Sequence, residues 1–170
     1  MREFLFPVAV VLAVLSAGCA GYHLGPVNGA MAGEKSIVVL PFNNQTLQPR
    51  LGDALTRALR EELQIDGTYR LAAREPGDVV VTGVITSYDR EGLSYLSADV
   101  ITPQDYRVAI TAHVTARERS TGKMLLNKDV QGDTLVHVGS DLADAERQAL
   151  PLLTQDLARN ITGLLTEGAW

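Results

Sequence analysis

The sequence of 170 residues contains one cysteine, Cys19, and few aromatic residues (one Trp, five Tyr and three Phe). A single cysteine excludes a disulfide within the chain, so packing must hold the fold together. So few aromatic side chains offer no platform on which a carbohydrate could stack. The formal net charge of -5 argues against nucleic acid as a partner, because binding a phosphate backbone requires a basic face.

Residue groups that could carry out a reaction are missing as well. The histidines His23, His113 and His137 have no Cys, Asp or Glu at metal-ligand spacing, so no metal site is predicted. Neither a Gly-x-Ser-x-Gly elbow nor a glycine-rich phosphate loop occurs. The adjacent carboxylates Glu61 and Glu62 fall on the solvated side of a predicted helix. We therefore expect a binding or assembly protein, not an enzyme, with no cofactor.

An apolar stretch at the start of the chain leads directly to Cys19. Residues 4–15 are almost wholly apolar, which is signal-peptide length and shorter than the ~20 residues of a spanning helix. The small residues Ser16, Ala17 and Gly18 then precede Cys19, the order that a lipoprotein signal peptidase requires. The alternative is an ordinary secretion signal that leaves Cys19 as a free thiol. Because a lone thiol is a liability in an oxidising compartment, the pattern favours lipid attachment at Cys19.

The residue after the cysteine predicts where the lipoprotein resides. It is Ala20 rather than Asp, so nothing directs retention in the inner membrane. We expect a lipid-anchored protein on the periplasmic side of the outer membrane. The chain then divides into a signal peptide (1–18), a lipidated anchor and linker (19–35), one α/β domain (36–166) and a short tail (167–170).

The first half of the domain predicts a buried strand followed by an amphipathic helix. Residues 36–42 form an apolar, β-branched run that is typical of a strand buried on both faces. Residues 43–46 are interpreted as a polar turn. Leucine and alanine recur at helical spacing over residues 49–63, with Pro49 in the opening turn. A short strand at 69–71 and a strand at 78–89 follow, the latter with Tyr88 on the side opposite Ile85.

The second half predicts a hairpin and a long final helix. Residues 90–104 are interpreted as a polar connection, and residues 106–116 alternate clearly, with apolar side chains at the even positions. Ser120-Thr121-Gly122 makes a turn into a returning strand at 124–132, and residues 133–140 are interpreted as a loop. The last helix extends to about Thr166, with a kink or break expected at Pro151. The fold class is α/β: a two-layer sandwich of two helices on a mixed, mostly antiparallel sheet of about four to five strands.

Two surfaces of this sheet are candidates for binding. The polar face of the strand at 106–117 is a candidate partner surface, carried by Arg107, Thr111, His113 and Thr115. Basic residues around the hairpin tip match the phosphates of an anionic lipid headgroup; they are Arg117, Arg119, Lys123 and Lys128. The alternative for the tip is a solvated hairpin whose charges guard an edge strand.

Several stretches together resemble the lipopolysaccharide-assembly lipoprotein family, LptE. The run Cys19-Ala20-Gly21-Tyr22-His23-Leu24, followed by glycine and proline, is similar to the start of the mature family members. Later stretches also fit, and these are residues 37–44, 55–63 and 73–83, Tyr106-Arg107-Val108, and the hairpin before a long C-terminal helix. The resemblance covers the whole mature chain, although each motif is short.

The resemblance implies a fold, a location and a role. Family members pack two helices on a mixed sheet and plug the lumen of an LptD-type outer-membrane β-barrel. There they help the barrel assemble and accept lipopolysaccharide for insertion into the outer leaflet. Family members contact lipopolysaccharide through basic loop residues, but the corresponding loops here, 91–105 and 133–140, contain no Lys or Arg. Only Cys19 is therefore transferred from the family, as the lipid attachment site.

A second resemblance leaves another function open. The run at residues 38–46 also resembles the opening strand of outer-membrane lipoproteins that activate a peptidoglycan synthase, or that form secretion pores. Tyr22-His23-Leu24 directly after the anchor favours the lipopolysaccharide-transport family.

Overall fold

The computed structural model describes residues 33–73, 76–96, 99–137 and 142–167, with backbone alone for residues 95–96 and 99–102. Two helices and six strands make up this part of the chain, and no described helix is long and apolar enough to cross a membrane. In chain order they are β1 (Ser36–Val39), β2 (Asn43–Asn44), α1 (Leu51–Asp66), β3 (Arg70–Leu71), β4 (Val79–Leu96), β5 (Asp99–Glu118), β6 (Met124–His137) and α2 (Leu142–Thr166).

The strands form one mixed sheet in the order β3-β1-β4-β5-β6, with β2 also paired to β4. β1 is parallel to both β3 and β4, whereas β4–β5 and β5–β6 are antiparallel. Both helices cover one face, and this confirms the predicted α/β two-layer sandwich.

The core lies between the helical layer and the even-numbered side chains of β5. Val108, Ile110, Ala112, Val114 and Ala116 are at most 1% exposed, as their alternation predicts. α1 contributes its leucine stripe, and α2 contributes a second stripe. These helix residues are Leu51, Leu55, Leu59, Leu63, Leu153, Leu157, Ile161 and Leu165.

Two glycines allow layers to approach more closely than a side chain would permit. A Cβ on Gly83 of β4 would lie 2.2 Å from Cε1 of Phe42, so the Phe42 ring packs directly on the sheet backbone. A Cβ on Gly132 of β6 would lie 2.5 Å from the backbone nitrogen of Leu157 in α2. Each glycine therefore sets the distance between an element and the sheet beneath it.

The strands are longer than the sequence pattern predicts. β4 continues to Leu96 and β5 begins at Asp99, so the predicted polar connection at 90–104 is wrong. β6 likewise continues to His137 through part of the predicted loop at 133–140. These extensions are pairs of strands with few buried apolar side chains, and the usual alternation is therefore absent. Backbone pairing continues there through bulges between Gly92 and Leu96.

A bulge also corrects the predicted orientation of Tyr88. The register shifts between Ile85 and Ser87, which leaves Thr86 as the extra residue. Tyr88 then pairs with Ile110 and packs against the core, on the same side as Ile85 rather than opposite it.

The helix boundaries also differ from those predicted. α1 begins at Leu51 instead of residue 49, because Arg50 adopts a left-handed conformation (φ 61°) before the first turn. Asn43 and Asn44 form β2 rather than a simple turn, since they pair with Val84 and Ile85. The expected break at Pro151 is absent: α2 continues through the proline as one helix, and its buried stripe runs on both sides of it.

Candidate partner surface

The candidate partner surface is the sheet face opposite the helices, along β5 and β6. Arg107, Thr111, His113 and Thr115 alternate with the buried residues of β5, so all four lie on this face. Arg107 and His113 are exposed, whereas Thr111 and Thr115 are half-buried. The structure thus brings the four predicted residues into one row.

Aspartates of β6 hold the two basic side chains of the row in place. Arg107 donates from Nε and Nη2 to the two carboxylate oxygens of Asp133, at 3.1 Å each. The hydrogen bonds to Asp133 raise the pKa of Arg107. His113 Nδ1 lies 2.7 Å from Oδ1 of Asp129. A bidentate contact fixes the direction of a guanidinium as well as its charge, so Arg107 is presented in one orientation.

Hydroxyl and carboxylate contacts extend the row in both directions. The Thr115 and Thr82 hydroxyls are 2.6 Å apart across β4 and β5. At the other end, Asp105 accepts a hydrogen bond from Ser94 and lies 2.6 Å from Nδ1 of His137. The contacts with Ser94 and then His137 lower the pKa of Asp105 below its ordinary value. The face is therefore polar, largely charge-paired and internally hydrogen-bonded.

The acidic half of this face was not predicted from the sequence. Asp129 and Asp133 lie on β6 at the same face as His113 and Arg107. Beside the turn Arg117 pairs with Met124, and a bulge that leaves Leu125 unpaired then shifts the register so that residue 113 lies opposite residue 129. The polar odd positions of β6 were a signal in the sequence, but the register that sets each pair was not.

The basic residues predicted at the hairpin tip separate into two locations. Arg117, Arg119 and Lys123 are exposed around the turn that joins β5 to β6. Lys128 pairs with Val114, a core-face position, so it lies on the opposite side of the sheet from Arg117. The tip cluster therefore consists of three residues.

One buried carboxylate lies at the other end of the helical layer. Glu146 of α2 is 8% exposed and its Oε1 is 2.8 Å from Nε of Arg90 on β4. The Arg90 guanidinium also lies 5.4 Å from the centre of the Tyr88 ring. This contact joins the first turns of α2 to β4 of the sheet.

The described residues contain no group of three or more His, Cys, Asp or Glu that could hold a metal ion. Cys19, the predicted lipid attachment site, lies outside the described residues. The described part of the molecule therefore offers a candidate partner surface built from hydrogen-bonding groups on a paired sheet.

Comparison with known proteins gives one family and a set of similar folds. A sequence profile for lipopolysaccharide assembly, LptE, matches residues 34–162. No curated protein matches the sequence.

Several solved structures share the fold at low sequence identity. Protein XCC0632 from Xanthomonas campestris has a TM-score of 0.60 at 10% identity, covering 86% of this chain and 91% of that chain. Protein CT253 from Chlamydia trachomatis has a TM-score of 0.56 at 12% identity, covering 77% and 97%. A minor lipoprotein from Acinetobacter baumannii has a TM-score of 0.52 at 15% identity, covering 78% and 92%. At these identities the likeness concerns the fold alone.

Proposed function

The chain belongs to the LptE family of lipopolysaccharide-assembly proteins, and on that premise we propose that it is an outer-membrane lipoprotein that plugs an LptD-type β-barrel. In this role it helps the barrel to assemble and assists the insertion of lipopolysaccharide into the outer leaflet. Acylated Cys19 anchors it to the membrane from the periplasmic side. The observation that carries the proposal is the family match, which spans most of the domain from residue 34 to residue 162.

The polar sheet face supports the placement of the domain inside a barrel. The interior of a transmembrane β-barrel is polar and hydrated, so a plug needs hydrogen-bonding side chains on a stiff support. Arg107, Thr111 and His113 offer such groups on a strand that is paired on both sides. Thr115 belongs to the same row, with its hydroxyl paired to that of Thr82. Asp133 neutralises Arg107, and Asp129 forms a hydrogen bond with His113. We therefore assign this face to the barrel interface.

Site-specific photo-crosslinking in intact cells tests the interface. The crosslinking residue is placed at His113 or Gln131, which are exposed on the polar face, because the Thr115 hydroxyl is already paired. Matched positions on the helical layer are Arg57 and Gln155, which are also exposed. We expect abundant adducts with a large outer-membrane barrel from the first pair and few from the second.

The opposite pattern would move the interface to the helices. A pull-down from outer membranes then identifies the partner independently of the face that contacts it. Recovery of a barrel supports the proposed function, whereas recovery of a peptidoglycan synthase without a barrel would contradict it and favour the synthase-activator function.

A further inference from the structure

The hairpin tip and the start of the domain form one connected corner of the molecule. The Lys35 ammonium donates to Oε1 of Glu118 at 2.6 Å, which links the residue before β1 to the last residue of β5. Gly33 donates from its backbone nitrogen to the carbonyl of Thr68 at 3.0 Å. The chain that connects the domain to Cys19 therefore joins it beside the hairpin tip.

Further hydrogen bonds make this corner stiff. Asp78 accepts from the backbone nitrogen and the hydroxyl of Ser36, at 2.7 and 2.6 Å. The Arg119 backbone nitrogen donates to the carbonyl of Asp78 at 2.8 Å. The Thr121 hydroxyl donates to Oε2 of Glu118 at 2.6 Å. The tip is thus tied to the same two acidic residues that hold the start of β1.

The tip presents positive charge outward. Arg117, Arg119 and Lys123 are exposed, and none of the three forms an ion pair with another described residue. Glu118, the nearest carboxylate in sequence, is 14% exposed and already bound by Lys35 and Thr121. Glu34, which precedes Lys35, and Asp66 at the end of α1 are exposed as well, and so is the cation Arg70 of β3.

The charge at the opposite end of the sheet has the other sign. Asp89 and Glu91 are exposed on the extended part of β4. Asp105 and Asp133 lie nearby on β5 and β6, and Arg107 balances one of them. The long axis of the sheet therefore runs from a basic tip to a more acidic far end. An anionic surface would attract the tip and repel the far end.

We propose that the tip surface, formed by Arg117, Arg119 and Lys123, lies against the anionic phospholipid headgroups of the membrane that holds acylated Cys19, and that this contact orients the domain. The inference rests on the proposed function, because it requires the lipid anchor. Sixteen peptide bonds join Cys19 to Lys35, so the anchor holds the tip within roughly 55 Å of the membrane. Each basic residue near an anionic surface strengthens the contact by about fivefold.

The test uses the acylated protein reconstituted in vesicles, with a fluorophore at Ser120→Cys in the tip. Acylation blocks Cys19, so the introduced thiol alone is labelled. A second protein carries the label at Leu47→Cys. Leu47 is fully exposed and lies just before the first turn of α1, away from the tip. Vesicles contain phosphatidylethanolamine with phosphatidylglycerol or with phosphatidylcholine, and both carry a headgroup-bound quencher.

We expect the tip label to be quenched in anionic vesicles only, with the quenching lost at high salt. The label at residue 47 stays unquenched. Replacing the tip cations together (R117Q, R119Q and K123Q) weakens the contact on the order of 100-fold. Removing the same charge from the helices (R57Q, R147Q and R159Q) leaves the quenching unchanged.

Equal quenching at residues 47 and 120, or quenching that survives the triple tip variant, overturns the inference while leaving the anchor intact. A protein that does not float with the vesicles at all refutes acylation of Cys19, and the inference falls with it. Because the salt and lipid comparisons use a labelled tip that keeps all three cations, the result does not depend on how the triple variants fold.

Discussion

At the scale of single residues, Gly83 illustrates how one missing side chain allows the core to close. The Phe42 ring occupies the space that a Cβ on Gly83 would need, and Phe42 is itself 5% exposed. The Phe42 backbone nitrogen donates to the Thr56 hydroxyl at 2.9 Å, which fixes the ring from the side of α1. The ring therefore has little freedom to move away from a substituent on β4.

We expect Gly83→Ala to destabilise the domain by about 1–3 kcal/mol through overpacking. Gly163→Ala is the matched control, because the nearest atom to a Cβ there is Oε1 of Glu167 at 4.0 Å. In a helix that change stabilises by about 0.5–1 kcal/mol. Urea unfolding of both variants measures the difference, and a stable Gly83→Ala protein would show that Phe42 can repack.

Ile110 and Thr111 are neighbours that separate the two faces of the sheet. Ile110 is 0% exposed in the core, whereas Thr111 lies half-buried on the polar face. Ile110→Ala leaves a cavity and should cost about 2–5 kcal/mol. Thr111→Ala removes no core contact and should be nearly neutral. Equal losses in urea unfolding would mean that the second face is covered as well.

At the scale of secondary-structure elements, the sequence predicts best the parts that the helices cover. β5 alternates between apolar and polar residues because its even positions face α1 and α2. The pattern therefore predicts both which face is buried and which residues form the core. The described residues of the β4 and β5 extensions add no side chain to the buried core, whereas Val136 of the β6 extension is 3% exposed and belongs to it. Residues 90–104 accordingly show no apolar period. Register shifts such as the one at Thr86 have no sequence signature. The orientation predicted for Tyr88 was therefore wrong. Half of the candidate surface was unpredicted for the same reason: the alternation of β5 gives its own polar side chains, but the bulge that sets the pairing with Asp129 and Asp133 has no sequence signature.

The outer edge of β6 is protected by side chains of α2. Asn160 donates to the carbonyl of Gln131 at 2.8 Å, and Asp156 accepts from the backbone nitrogen of Asp133 at 3.1 Å. These contacts occupy backbone groups that an edge strand would otherwise offer to another chain. The helix thus blocks pairing at the middle of the edge.

The stability contributed by the hydrogen bonds of Asp78 and Glu118, which join the start of β1 to the start of β4 and to the hairpin, depends on pH. Contacts with Ser36 lower the pKa of Asp78 below 3.8, and the contact with Lys35 followed by that with Thr121 lowers the pKa of Glu118 below 4.5. The same contact with Glu118 raises the pKa of Lys35 above 10.5. The two carboxylates therefore stabilise the fold fully when the pH lies above their pKa values in the unfolded chain. This stabilisation is lost as the pH falls through their lower pKa values in the folded protein. For Lys35 the contribution is complete below 10.5 and is lost as the pH rises through its folded pKa.

We expect the carboxyl signals of Asp78 and Glu118 to titrate below 3.8 and 4.5 in an NMR experiment, as the directions of the pKa shifts require. Ser36→Ala removes the hydroxyl donor and should raise the pKa of Asp78 while leaving that of Glu118 unchanged. A titration of Asp78 that is insensitive to Ser36→Ala would contradict the hydrogen bonds assigned here.

At the scale of the whole molecule, a polar sheet face, a helical layer and a basic tip point in three different directions. The polar face carries Arg107 and His113, the helical layer lies behind it, and the tip lies at the end where the chain arrives from Cys19. A lipid anchor beside the tip and a barrel around the sheet are compatible, because the two contacts use different surfaces. The role proposed for the domain therefore requires the anchor and the sheet face independently.

This independence leads to a prediction for Cys19→Ala. Stable residence in a membrane takes two or three acyl chains, since one chain binds only marginally, and without the thiol no diacylglycerol can be attached. We expect the variant to accumulate as uncleaved precursor or to be lost from the outer-membrane fraction, as measured by fractionation and mass spectrometry of the amino terminus. Ser16→Ala is the matched control, because it keeps a small residue before the cleavage site and should be processed normally. If Cys19→Ala were recovered fully processed in the outer membrane, Cys19 would not be the anchor, while the polar face could still bind the barrel.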